Sequence, residues 1–181
     1  ILVSGMQPSY RLGDEIRLNL MVNNQSPSLI EVRLRTKLLG RGDQPLLTES
    51  LAIGSGTFGT RYFRDGHITA PALLEAERVA SLAFEKVAMG FRAQGWQLAI
   101  GSSGTARMLA KVLKANGLND LGQGGITYTG LLRLSLRLLE VRHVEQLRLA
   151  GLQAHRLGSL PGGLAIMLAA FKAFGITHMI A

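Results

Sequence analysis

Chemistry in this 181-residue sequence concentrates at Gly101, Ser102, Ser103, Gly104 and Thr105, five small residues between an apolar run and an amphipathic one. The flanking pattern predicts a buried strand over 96–100, a turn over 101–104 and a helix starting at Thr105. That helix ends near Asn116, with Gly117 suited to the left-handed position that follows a helix. A strand, a Gly-rich turn and a helix N-terminus together form an anion site, because the first backbone N–H groups are unpaired and the helix dipole favours negative charge. Many α/β proteins use the same small residues for close packing alone, and the five residues do not separate the two uses.

Other candidates are weaker. His67, His143, His155 and His178 show no i,i+3 or i,i+4 pair, which argues against a histidine metal site. Ser103 has no nucleophile-elbow motif around it. The acidic residues number twelve. Glu75, Glu77 and Glu85 fall on one predicted helix, where a solvated face is the default. Glu31 directly follows an Asn/Ser/Pro-rich loop over 23–28 and reads as a strand carboxylate. Arg133 and Arg137 lie one helical turn apart and can hold a phosphate or simply solubilise the helix.

The elements that must position these residues follow from periodicity. Residues 14–22 alternate at Ile16, Leu18 and Leu20 and read as a half-buried strand or, alternatively, a short helix; 29–38 alternates cleanly, and 45–53 returns as its partner, so a hairpin is expected. Residues 54–66, with Gly54, Gly56 and Gly59, read as a loop. Thr69 and Pro71 open a long helix to about Arg92, with Ala72, Ala76, Val79, Ala83 and Val87 on one face. Thr127 or Thr129 caps a helix to about Glu140. Residues 144–149 form a short amphipathic segment. Residues 158–163 read as a turn, after which an apolar helix over 164–174 ends at Gly175 and a strand follows. Hairpin strands followed by alternating helices and strands predict one α/β domain, with a mixed sheet and helices on both faces.

Bulk composition narrows the function classes. At 47% hydrophobic and 18% charged, the chain is expected to be globular. The absence of cysteine excludes disulfides and thiolate zinc sites. No apolar run looks long enough for a bilayer, so no membrane partner is expected, and nothing points to secretion, so a cytoplasmic location is expected. The net charge of +8 suits a polyanionic partner or a merely basic surface. The chain opens on Ile1 without an initiator Met and closes inside an apparent strand, so it is expected to be a domain of a longer protein. The apolar helix over 164–174 is also a candidate surface for a homodimer.

Several stretches together resemble the exopolyphosphatase / guanosine pentaphosphate phosphatase family of the actin-like ATPase superfamily. They are Gly95-Trp-Gln-Leu-Ala-Ile-Gly-Ser-Ser-Gly-Thr105, Tyr62-Phe63 with Asp65-Gly66-His67-Ile68-Thr69, Gly125-Ile126-Thr127, and Leu160-Pro161-Gly162-Gly163-Leu164-Ala165-Ile166. The resemblance is to the family's second domain, covers nearly the whole chain and is strongest from Ser50 onward. It implies a ribonuclease-H-like fold, and release of terminal phosphate from polyphosphate or guanosine pentaphosphate with a divalent metal such as Mg2+. It also implies a first lobe of the same protein as partner, and Gly101 to Thr105 facing the cleft between the lobes. The departures fall on the chemistry. Where the family carries its catalytic glutamate pair, this sequence has Gln7-Pro8, and glutamine cannot accept a proton. Where the family's phosphate loop carries a metal-binding aspartate and three glycines, this sequence has Asn24 with Ser26, Pro27 and Ser28. Proline has no N–H to give a phosphate, and only Glu31 of that motif keeps a metal-ligating side chain. The expectation is a family fold with an altered catalytic centre.

Overall fold

The computed structural model describes residues 15–22, 31–39, 45–120 and 122–181. The alternating segments form the expected strands: β1 (Glu15–Val22), β2 (Glu31–Leu39) and β3 (Pro45–Ala52). β1 runs antiparallel to β2 with Ile16 opposite Leu38 and Val22 opposite Val32. β2 runs antiparallel to β3 with Glu31 opposite Ala52, and the register shifts once between Thr36 and Lys37. The apolar strand β4 (Leu98–Gly101) joins parallel to β1, with Leu20 opposite Gly101. The order β3-β2-β1-β4 therefore makes one mixed sheet. A short pair, β5 (Ile126–Thr127) and β6 (His178–Met179), lies beyond it. The two meet where the Gly101 N–H donates to the Ile180 carbonyl at 2.6 Å and the Ile180 N–H to the Ala99 carbonyl at 2.9 Å.

This register aligns one edge of the sheet. The C-terminal ends of β1, β3 and β4 and the N-terminal end of β2 all fall there, so Val22, Glu31, Ala52 and Gly101 are neighbours along it. In open α/β sheets ligands bind outside the carboxyl ends of the parallel strands.

Among the described residues five α-helices complete the fold, the fourth being α4 (Tyr128–Val141), whose Thr127 cap accepts from the Gly130 N–H. The expected long helix is α2 (Ala70–Gln94), whose Thr69 cap accepts from the Ala72 N–H at 3.3 Å. Its core face is offset from the sequence expectation. Leu73, Ala76, Ala80, Phe84, Ala88 and Phe91 are buried, while Ala72, Val79, Ala83 and Val87 lie on the shoulder. The four-residue spacing of Ala76, Ala80, Phe84 and Ala88 keeps one stripe against the neighbouring helix. Phe84, Phe91 and Trp96 each meet the Phe174 ring edge-on, at 5.5, 5.8 and 6.3 Å between centroids. Trp96 is spent on that contact, and β4 accordingly begins two residues later than the expected 96.

The Gly-rich segment over 54–66 is not a loop throughout. Residues Ser55–Tyr62 form a helix, α1. Glycine disfavours helix by about 1 kcal/mol relative to alanine, but here it permits contact. A Cβ on Gly59 would collide with the Gly158 carbonyl, and one on Gly162 would lie 2.5 Å from the Ser55 carbonyl oxygen and 2.6 Å from the Gly59 nitrogen. For the same reason Pro161, Gly162 and Gly163 are not a preceding turn. They form the first turn of α5 (Leu160–Phe174), with proline at an N-terminal position that needs no N–H.

α5 is the centre of the core. Every residue from Leu160 to Phe171 is buried within this chain, so the helix presents no face to a second copy. An 18-residue window within 154–174 also reaches a mean hydropathy of 1.5, and the segment is long enough to cross a bilayer, which corrects the expectation that no such run exists. With 72% of that window buried, it packs as a core helix. At its end Arg92 donates to the Lys172 and Ala173 carbonyls and Lys172 pairs with Glu77. The hydrogen bond that the Lys172 ammonium donates to the Glu77 carboxylate holds its pKa above the usual range.

Candidate anion site

The turn after β4 is shorter than expected at both ends: Gly101 closes β4, α3 spans Gly104–Ala115, and Ser103 is its cap. Ser103 Oγ accepts from the Ala106 N–H at 3.0 Å, and the side chain is buried. Thr105 is only 1% exposed, and its hydroxyl donates to Ser55 Oγ at 3.1 Å. At Gly101 a Cβ would lie 2.7 Å from both Ala106 Cβ and Met179 Sδ. Ser102 is half-buried beside them. At the helix end, Asn116 caps and Gly117 takes the left-handed conformation at φ 61°.

Three helix starts converge on this turn. Ser55 begins α1, Thr105 lies in the first turn of α3, and Gly163 lies in the first turn of α5, where a Cβ would be 2.7 Å from Thr105 Cγ2 and 3.3 Å from Ser55 Cβ. Helix N-termini carry partial positive charge, and three of them side by side favour an anion nearby. Ser103 and Thr105 side chains are already committed to this packing. What remains for a ligand is backbone N–H and whatever other side chains arrive.

The arriving side chain is Arg156. It belongs to a 3-10 segment, Ala154–Ser159, that precedes α5. Its Nη2 lies 3.0 Å from where a Cβ on Gly104 would be, so the missing side chain at Gly104 is what lets the guanidinium reach the start of α3. Arg156 is half-buried and, among the described residues, has neither a carboxylate partner nor a side-chain hydrogen bond. A guanidinium keeps its charge at any relevant pH. A cation at the positive end of a helix is unfavourable by itself, and an anion placed between them relieves both. Sequence reading missed Arg156, because nothing in a lone arginine 52 residues beyond Gly104 marks it as a neighbour.

Arg156 also separates two depressions. One, of about 270 Å3, runs along α3 past Gly104, Arg107, Lys111 and Gln153. The other, of about 740 Å3, is bounded by Phe63, Arg64, Asp65, Val144 and His155. His67 and His143, unrelated in sequence, meet at the rim of this region with rings 5.0 Å apart, and His143 Nε2 lies 2.8 Å from the Asp65 carbonyl. Arg133, by contrast, is engaged structurally. It pairs with Asp120 at 2.9 Å and donates to the Leu118 carbonyl at 2.9 Å.

Of the residues singled out by resemblance, Glu31 starts β2 at the same sheet edge as Gly101. Gln7 and Asn24 lie outside the described residues. Among the described residues no three His, Asp or Glu side chains come together as a metal site, so no metal-dependent step is derived.

Comparison with known proteins agrees with this architecture. A family model described as the Ppx/GppA phosphatase family matches residues 37–181. A guanosine-5'-triphosphate,3'-diphosphate pyrophosphatase of Aeromonas hydrophila is 31% identical over 167 residues, covering 92% of this chain and 31% of that protein. A solved exopolyphosphatase from Cytophaga hutchinsonii superposes with a TM-score of 0.68 at 15% identity, over 92% of this chain and 53% of its own. The Aquifex aeolicus Ppx/GppA phosphatase superposes with a TM-score of 0.65 at 16% identity, over 94% of this chain and 54% of its own. The chain thus spans about a third of the curated relative and about half of the solved ones, and shares the actin-like fold of the latter.

Proposed function

Since this chain belongs to the Ppx/GppA phosphatase family, we propose that it is the second lobe of a phosphohydrolase of polyphosphate or guanosine pentaphosphate. It holds phosphate where α3 begins and does not cleave it unaided. The observation that carries the reading is Arg156, a guanidinium with no side-chain partner among the described residues, beside the converging starts of α1, α3 and α5. Backbone N–H groups near Gly104 and the Arg156 fork supply donors for phosphate oxygens, and the buried contacts of Ser103 and Thr105 keep those donors fixed. Two features favour binding without turnover. By the family resemblance, Gln7 falls where the family carries a proton acceptor, and Asn24 and Pro27 fall on its phosphate-loop motif.

The test has two parts. Phosphate release from long-chain polyphosphate and guanosine pentaphosphate, with and without Mg2+, is expected to stay at background for the 181-residue chain. Metal-dependent turnover by this chain overturns the non-catalytic half of the reading. Titration with polyphosphate at two salt concentrations is expected to show binding that weakens with salt. Absence of binding at low salt removes the anion site.

A further inference from the structure

The side of α2 turned away from its buried stripe is too apolar for a plain solvated face. Leu74, Leu82 and Met89 are 68, 47 and 80% exposed there. With Arg78 and Glu85 they follow one another at steps of four, four, three and four residues. A helix turns by about 100° per residue, so all five fall within about 80° of one another and form one straight seam. On the same face lies a depression of about 480 Å3, lined by Ser81, Glu85, Ala88, Met89 and Arg92 of α2 and by Ala173 of α5. Ala88, Ala173 and the Met89 side chain make it apolar in part.

A protruding side chain and a hollow thus stand at opposite ends of one helix face. Leu74 projects near the start of α2, and the depression opens near its end. A two-fold axis crossing the helix between Ser81 and Leu82 lays the α2 helices of two copies antiparallel. It brings position 74 opposite 89, 78 opposite 85 and 81 opposite 82. Leu74 of each copy then enters the hollow of the other, between Glu85, Ala88, Met89 and Arg92, as a knob enters a four-residue hole. Arg78 faces Glu85 twice by symmetry, and the two Leu82 side chains meet at the axis. Glu85 has no hydrogen bond or ion pair among the described residues. Arg78 is held in place by Glu75 at 2.8 Å. A two-fold contact needs a surface complementary to itself, and this seam is so in both shape and charge. A lipid surface or a polyanion fits it poorly, because acidic and basic residues alternate along it.

We propose that α2 is a homodimer interface, in which two copies of this protein pack their α2 seams antiparallel and exchange Leu74 into each other's hollow. The proposal is independent of the phosphate reading, since no residue of the seam or the hollow belongs to the anion site. It places the surface for a second copy on α2 and not on the buried α5.

Sedimentation equilibrium of the purified protein tests this. The parent is expected to dimerise at micromolar concentration, the behaviour of a modest interface. Leu82→Glu puts two carboxylates at the axis and is expected to weaken the dimer by about tenfold or more. Glu85→Arg sets a like charge against Arg78 of the second copy and is expected to weaken it about tenfold. Combining it with Arg78→Glu restores opposite charges across the axis and is expected to return the dimer to within about threefold of the parent. All three positions are exposed, so each variant is expected to keep the circular dichroism of the parent. The chain has no cysteine, so Leu82→Cys supplies a single thiol. It is expected to form an intermolecular disulfide on oxidation faster than Leu74→Cys, whose two copies lie about 22 Å apart along the helices. A monomer at every concentration up to about 1 mM, a dimer indifferent to Leu82→Glu, or a charge reversal that the double variant fails to rescue overturns the proposal. A thiol at position 82 that reacts freely in the 181-residue chain but is shielded in a monomeric longer form of the protein shows that another segment covers the seam, and this also overturns it.

Discussion

The turn over 101–105 and the rim formed by Asp65 and Arg156 differ in how their polar groups are used. In the turn, Ser103 and Thr105 are buried and satisfied within the protein. At the rim, Arg156 and Asp65 hold charges with no protein partner among the described residues. A buried hydroxyl left unbonded costs about 1–3 kcal/mol, so the turn's side chains cannot be released to a ligand without loss of stability. The rim's charges are free to be spent on one. The most recognisable motif is thus spent as scaffold, and the uncommitted charges come from segments with no motif of their own.

Substitutions should divide along that line. Gly162→Ala places a methyl 2.5 Å from the Ser55 carbonyl where α1 crosses α5. It is expected to destabilise by about 1–3 kcal/mol or more, read as a lowered thermal midpoint. A midpoint unchanged from the parent would mean the two helices have room to separate. Thr105→Val keeps the shape but leaves Ser55 Oγ without its donor, for an expected loss of about 1–3 kcal/mol in denaturant unfolding. Ser103→Ala removes the α3 cap at about 1 kcal/mol. Arg156→Ala inverts the pattern. Stability should move by no more than about 0.5 kcal/mol, while polyphosphate binding falls and its salt dependence shrinks. Equal effects of Arg156→Ala and Ser103→Ala on folding would erase the distinction drawn here.

The smallest effect concerns Asp120. The Thr129 hydroxyl, and then Arg133, hold its carboxyl below the ordinary value of 3.8. A depressed carboxyl contributes stability above its unfolded value and loses it as pH falls through the native one. Acid unfolding of Asp120→Asn should therefore start from slightly lower stability near neutral pH and converge with the parent as pH falls through the lowered native value. Curves that run parallel to the lowest pH would show that this exposed contact contributes nothing to pH dependence.

Legibility from sequence varied with the range of the interactions. The Thr69 cap, the Gly117 and Gly175 terminators and the β2–β3 hairpin were readable, because each depends on residues a few positions apart, and of the two threonines that could cap the 128–141 helix the structure uses Thr127. Segment 54–62 misled. Its glycines weaken a helix locally, and only the approach of α5 makes their missing side chains an asset. The start of α5 was misplaced for the same reason, since Pro161-Gly162-Gly163 reads as a turn until Ser55 and Thr105 are seen against it. The core stripe of α2 was offset because alanine and valine on its shoulder count as apolar without being central.

The sequence by itself determined the caps, the strand alternation, the family and the position of the small-residue turn, since these are matters of local conformational preference and of residue identity. The tertiary structure alone decided that Ser103 and Thr105 are spent on packing and that a lone arginine stands at the head of α3. It also decided that Asp65 is clamped by His143 from 78 residues away. Those facts depend on distances between segments remote in the chain. Close packing across glycines sets such distances, and no periodicity encodes them.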